Sequence, residues 1–144
     1  MNKIIQATKR LSNIESRLIH AQKITPLFNK SWRNSIPIKP GIYAIWTKRK
    51  NATAVYVGES SNLNERLGDL GSPATHTFPK KIKTKIALKT TNEVRVYIQE
   101  NYLISFIPVS FGRAEGEEYL ITKWATYVGT KFNDSIPRRW RCNT

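Results

Sequence analysis

Apolar residues recur at helical spacing near the start of the chain. Ile4, Leu11, Ile14, Leu18 and Ala21 stand between lysines, arginines and serines, which predicts an amphipathic helix over residues 3–21. The segment "ITPLFNKSWRNSIPIKPG" holds three prolines and reads as a connector ending at the Pro40-Gly41 turn signal. The period then shortens. "GIYAIW" and "TAVYVG" are β-rich runs on either side of the polar "TKRKNA", the pattern of two strands joined as a hairpin. Ser60 or Ser61 is placed to cap the next helix. In that helix Leu63, Leu67 and Leu70 share a stripe, with Arg66 on its rim.

"GSPATHTFP" reads as a loop. Ile82, Ile86 and Lys89 in "KKIKTKIALK" predict a short basic helix, and "EVRVYIQENYLISFIPVSF" reads as a second hairpin turning at "QEN". A last helix runs through "RAEGEEYLITKWATYV". "GTKFNDSIP" ends it, and "RRWRCNT" forms a basic tail. No internal repeat and no low-complexity tract interrupts this order.

Composition narrows the partners. The 144 residues suit one ordinary domain, and 24 Lys+Arg against 10 Asp+Glu leave a formal charge of +14. Such a field attracts polyanions, nucleic acid first, with an anionic membrane face as the competitor. No apolar run approaches the roughly 20 residues that span a bilayer, and "MNKIIQATKRLSNIE" lacks a signal-peptide core. The single Cys142 allows no internal disulfide, so a cytoplasmic protein is expected. With only His20 and His76 beside it, a zinc site built from Cys and His is not expected.

The last helix carries the first chemical clue. Leu120, Ile121, Trp124 and Val128 form its apolar stripe, and Glu117 falls in the middle of it. An inward carboxylate is costly unless a cation or hydrogen bonds meet it. Glu117 is therefore either paired with an Arg or Lys, or a metal ligand; escape to solvent from the first turn is the bland alternative. Glu115 and Glu118 lie on the far side and at the edge, and all three acids suit a helix N-terminus.

Taken in order, these residues resemble the GIY-YIG nuclease superfamily. "GIY" stands as Gly41-Ile42-Tyr43, and "YIG" as the variant Tyr56-Val57-Gly58. The arginine of the following helix matches Arg66, the glutamate matches Glu117, and the closing asparagine matches Asn133 in "KFND". The resemblance implies an α+β fold, a small antiparallel sheet of three to four strands flanked by helices, with an extra N-terminal helix. The parts would be 1–39 (helix and connector), 40–134 (nuclease-like domain) and 135–144 (basic tail). It further implies a phosphodiesterase site that uses Mg²⁺ or Mn²⁺. Glu117 would hold the metal, Tyr43 would act as general base or orient the attacking water, and Tyr56 would position Tyr43 or the phosphate. Arg66 would bind the scissile phosphate, and Asn133 would tie the end of the last helix to the site. Singly, each has a plainer reading: strand aromatics for the tyrosines, a solvated face for Arg66, a turn for Asn133.

Many members of that family carry a His or Lys one turn after the arginine. Here the position is Leu70, and His76, Lys80 or Lys81 are the candidates to replace it. Glu118 is a rival for the metal, and Glu59 is an acid near the phosphate site. Lys80, Lys81, Lys83, Lys85 and Lys89 form a basic block, Lys48, Arg49 and Lys50 sit in the hairpin turn, and Arg138, Arg139 and Arg141 surround Trp140. Such runs would contact phosphates, Lys80, Lys81, Lys83, Lys85 and the tail arginines foremost, unless they merely solvate the surface. The expected partner is DNA, with RNA not excluded, no membrane, and a homodimer if a palindrome is cut. The expected activity is metal-dependent endonuclease cleavage. The alternatives are a binding module of the same fold that does not cut, and a basic protein docked on acidic partners.

Overall fold

The computed structural model describes residues 3–127 and 131–134. Helix α1 (Lys3–His20) leads through the connector into strands β1 (Gly41–Thr47) and β2 (Ala54–Ser60). Helices α2 (Leu63–Gly68), α3 (Thr77–Lys85) and α4 (Thr91–Asn101) follow, then strand β3 (Tyr102–Pro108) and helix α5 (Arg113–Lys123). The three strands form one antiparallel sheet in the order β2-β1-β3. Alternation along β1 divides the core. Tyr43 and Ile45 face a cluster filled by Leu63, Leu67, Phe78, Ile82, Val94 and Ile98 of α2, α3 and α4. Ile42, Ala44 and Trp46 face the other way, onto Ile14 and Leu18 of α1 and Leu120 and Ile121 of α5. The sheet is thus the middle layer between two sets of helices, the α+β arrangement expected.

The predicted second hairpin is not formed. Its first half, "EVRVYIQEN", is the body of α4, and only "YLISFIP" is strand. The run is rich in β-branched residues, which favours strand locally, but Val94 and Ile98 stand four apart and both are buried. An N-cap favours the helix: the Thr90 hydroxyl accepts the Glu93 backbone N–H at 3.1 Å and donates to the Glu93 carboxylate at 3.2 Å. The cap of α2 is likewise Asn62, not Ser60 or Ser61; its side chain accepts from the Glu65 backbone N–H. In α1 the predicted stripe holds only in part, because Ile14 and Leu18 are buried while Ile4 is exposed. Helix α5 stops at Lys123, short of the expected Val128. Cys142 and the tail around Arg138, Arg139 and Arg141 lie outside the described residues.

Both outer strands are partly covered. Ile24 of the connector exchanges two backbone hydrogen bonds with Ile104 of β3, each 2.8 Å. On the β2 side the Phe132 N–H donates to the Val55 carbonyl at 2.9 Å. The Asn133 side chain continues the pairing by imitating a strand. Its Oδ1 accepts the Val57 N–H at 2.7 Å and its Nδ2 donates to the Val57 carbonyl at 3.0 Å. The α1–α5 layer is fastened by Glu15, whose carboxylate accepts from Lys123 Nζ at 2.6 Å and Trp124 Nε1 at 2.9 Å. Burial alone would raise that carboxyl's pKa, but these donors outweigh it and hold the pKa low.

Two outcomes follow for stability. Glu15→Ala strands the indole donor and is expected to cost about 1–3 kcal/mol in urea unfolding. Because the folded pKa is depressed, this stabilisation is present above the ordinary carboxylate range and lost as pH falls through it; the variant should show a flatter acid limb. Gly58 lies opposite Tyr43 in the ladder, and a Cβ there would overlap Cζ and Oη of the Tyr43 ring. Gly58→Ala should therefore cost roughly 1–3 kcal/mol in the same measurement and displace the phenol.

Candidate active site

The β1–β2 register sets the two phenols together. Tyr43 pairs with Gly58 and Ile45 with Tyr56, so Tyr43 and Tyr56 are diagonal neighbours on one face. Their rings stack with centroids 6.2 Å apart. Glycine opposite Tyr43 lets the ring lie down over the strand. Because β2 is an outer strand, side chains from both faces of the sheet can reach around it. Tyr43, Tyr56 and Arg66 come from the α2–α4 side and Glu117 from α5, on the other side. They line one small hollow together with Gly58 and Asn133. All five residues expected at the site therefore meet, drawn from four separate parts of the chain.

Each is held differently. Tyr43 is only 1% exposed and Glu117 only 8%. Arg66 on α2 donates through Nη1 to the Thr75 carbonyl at 3.0 Å and lies 3.6 Å from Asp69. Asn133 clamps the β2 backbone at Val57, so its amide shapes the rim of the hollow. Of the rival acids, Glu118 does not line the hollow. Glu59 does, but its carboxylate is paired with Arg113 at 3.4 Å. Thr77 and Asp134 complete the wall.

Leu70 lies fully buried in the core, so the position one turn after Arg66 offers no polar group. His76 reaches the phenol instead. It is the N-cap of α3, and its Nδ1 accepts the Phe78 backbone N–H at 3.0 Å. A ring nitrogen that accepts carries no proton, so the neutral imidazole holds its hydrogen on Nε2. Nε2 is 2.7 Å from Tyr43 Oη and therefore donates to it. Burial, aided by the nearby Arg66 charge, depresses the His76 pKa to about 3, which keeps the ring neutral and the tautomer fixed. His76 also packs against Tyr56 at 5.5 Å between centroids. Its dual contact was not legible in sequence, because a histidine cap has no strong local signature.

Tyr43 Oη accepts from His76 and also from the Arg66 guanidinium, which leaves its own proton for another partner. Burial pushes its pKa well above the usual phenol value; Tyr56 and Glu117 push the same way, and Arg66 opposes them. The phenol is accordingly protonated at neutral pH. Arg66 also suffers a burial penalty, but Tyr43, Tyr56 and Asp69 together hold its pKa above the ordinary value. The hollow thus combines a fixed cation, a buried carboxylate and an oriented hydroxyl.

The lysine block divides in two. Lys81 donates to Asp134 and to the Phe132 carbonyl, each at 2.8 Å, and Lys85 lies over the Phe132 ring at 4.8 Å. These two brace the segment that carries Asn133. Lys80 and Lys83 have no such hydrogen bond among the described residues and line a separate open depression next to Pro73.

No curated protein matches the chain. Among solved structures it is similar to the GIY-YIG N-terminal endonuclease domain of UvrC from Thermotoga maritima, bound to its catalytic divalent cation, magnesium. Identity is 21%, over 81% of this chain and 97% of that one, with a TM-score of 0.41. Two point mutants of the same domain, also bound to the divalent cation, match at 18% identity over 81% of this chain and 96% of theirs, again with TM-scores of 0.41. The model of one protein family, described as the GIY-YIG catalytic domain, matches residues 39–133, the stretch that runs from the entry of β1 to the asparagine on the edge of β2. The chain belongs to the GIY-YIG family.

Proposed function

We propose that the protein is a divalent-metal-dependent endonuclease that hydrolyses phosphodiester bonds in DNA. The observation that carries this reading is the meeting of Tyr43, Tyr56, Arg66 and Glu117 in one hollow. The donor set fits a hard ion. Among the described residues no cluster of three or more His, Cys, Asp or Glu side chains exists to cage a metal. Mg²⁺ is commonly bound through one or two carboxylates while keeping several waters. Glu117, buried in the wall with its α5 backbone behind it, would hold the ion. When bound there, the metal supplies charge neutralisation on the phosphate and at the departing oxygen.

The protein's own groups do the rest. Arg66 offers a planar, permanently charged fork to the non-bridging phosphate oxygens, and its bond to the Thr75 carbonyl fixes that fork in advance. Tyr43 keeps its proton, so it serves to orient the attacking water. With His76 and Arg66 both donating to its oxygen, its own hydrogen is left to donate to the oxygen of that water. His76 holds the rotor of that hydroxyl from behind, and Tyr56 supports the ring. Asn133 keeps the β2 backbone covered at Val57, and the Tyr43 ring occupies the space beside Gly58.

A plasmid-nicking assay tests the reading. Wild type should nick with Mg²⁺ or Mn²⁺ and not with chelator, and Glu117→Gln and Tyr43→Phe should each lose at least about 100-fold in rate. Binding without metal-dependent nicking would point instead to a module that holds nucleic acid without cutting it.

His76→Asn separates the two bonds of that histidine. Asparagine still caps α3 but is too short for Tyr43, so kcat should fall about 10–100-fold while KM stays within twofold. Because the folded His76 pKa is depressed, wild-type stability should be undiminished by this group above about pH 6.5 and should decline on acidification toward pH 3. The variant should lose that slope.

A further inference from the structure

A groove leaves the hollow past Thr77 and Asn133, which line both. One wall is a stripe of α3. Thr77, Lys80, Lys81, Thr84 and Lys85 recur at intervals of three and four residues, so they share a face, while Phe78 and Ile82 point into the core. The other wall carries Tyr127, 41% exposed, and Lys131. Among the described residues four lysines and no carboxylate line the groove.

Three of the four ammonium groups are anchored. Lys131 Nζ donates to the Trp124 carbonyl at 2.9 Å, Lys85 Nζ to the Lys131 carbonyl at 3.5 Å, and Lys81 to the Phe132 carbonyl. Carbonyl partners orient a cation without neutralising it. Asp134 offsets Lys81, which leaves the charge of the other three to an outside anion. The stripe from Thr77 to Lys85 spans about 12 Å at 1.5 Å per residue. That is room for roughly two to three phosphates of one strand, because the rise of about 3.4 Å per nucleotide is measured along the duplex axis and the backbone path is longer. An exposed phenol beside such a row is a stacking platform for a base.

We propose that this groove carries the polynucleotide strand that flanks the scissile phosphate, with its phosphates on Lys80, Lys85 and Lys131 and a base against Tyr127. The inference rests on the nuclease reading above for the position of the scissile phosphate, and it adds the path of the strand. Continuity with the hollow favours this occupant over an acidic protein segment, and a polynucleotide brings a flat ring with every phosphate for Tyr127 to meet.

The test is fluorescence anisotropy of the full chain with a labelled DNA oligonucleotide, single-stranded and duplex, in chelator. Lys80→Gln combined with Lys85→Gln should weaken binding at least tenfold at about 100 mM salt. It should also flatten the slope of log K against log salt by about 1.4 for a single strand or about 1.8 for a duplex. Lys80→Gln alone should give half of that slope change, which guards against any loss of the Lys85 brace. Tyr127→Ala should weaken the single strand by at least fivefold, and Lys9→Gln on α1 should change nothing beyond twofold. Unchanged affinity and slope in both lysine variants would overturn the proposal, as would equal competition by an acidic peptide of the same charge. The two readings fail separately. A wild type that binds through these lysines but never nicks with metal sinks the nuclease; a wild type that nicks while the lysine variants bind and nick unchanged sinks the groove.

Discussion

The site depends on an outer strand that is left half open. Strand β2 has a neighbour on one side only, and an unpaired strand edge must be covered or used. Phe132 and Asn133 cover it as far as Val57. Beyond that point Gly58 presents no side chain, and the ring of Tyr43 fills the space where one would stand. Groups on opposite faces of the sheet can then converge around the edge, a carboxylate from α5 and a guanidinium and two phenols from the α2–α4 side. A central strand would keep the same residues a sheet's thickness apart. The glycine of "YVG" is thus a steric requirement of the phenol of "GIY", and both belong to one contact.

Electrostatic arrangement follows from burial around that contact. A buried phenol, a buried neutral imidazole and a buried carboxylate would be costly if left unsatisfied. The phenol and the imidazole are fitted to partners that also fix their orientation. His76 receives the Phe78 N–H, in the first turn of α3, on one nitrogen and gives its hydrogen to Tyr43 on the other. A helix terminus thereby sets the tautomer that sets the rotor of the phenol. Arg66 is the cation that faces Tyr43 among the described residues, and its neighbours keep it charged despite its partial burial. Lys81 and Lys85, which look in sequence like part of a solvated basic block, hold down the segment that carries Asn133.

Much of this was legible from local pattern. The β1–β2 hairpin, Arg66 on the rim of its leucine stripe and Glu117 in the middle of an apolar stripe follow from periods of two and 3.6 residues. Their order in the chain carried the family resemblance. What was not legible depends on contacts across the fold or on caps. The segment 91–101 reads as strand because Val94, Val96 and Ile98 are β-branched, yet the Thr90 N-cap and burial of Val94 and Ile98 make it a helix. The His76–Tyr43 bond joins residues 33 apart in the chain, and no spacing rule connects them. The lysines that brace and those that stay at the surface differ only in what α3 packs against.

The account's central claim is that a divalent ion held by a carboxylate and a guanidinium from opposite sides of the sheet would grip one phosphate between them at the edge of β2. Anomalous diffraction from crystals grown with Mn²⁺ and an uncut DNA oligonucleotide tests it most directly. The account predicts an anomalous peak in coordination contact with the Glu117 carboxylate, and a backbone phosphate bridging it to Arg66. A manganese peak away from Glu117, or a phosphate that bypasses Arg66, would contradict it.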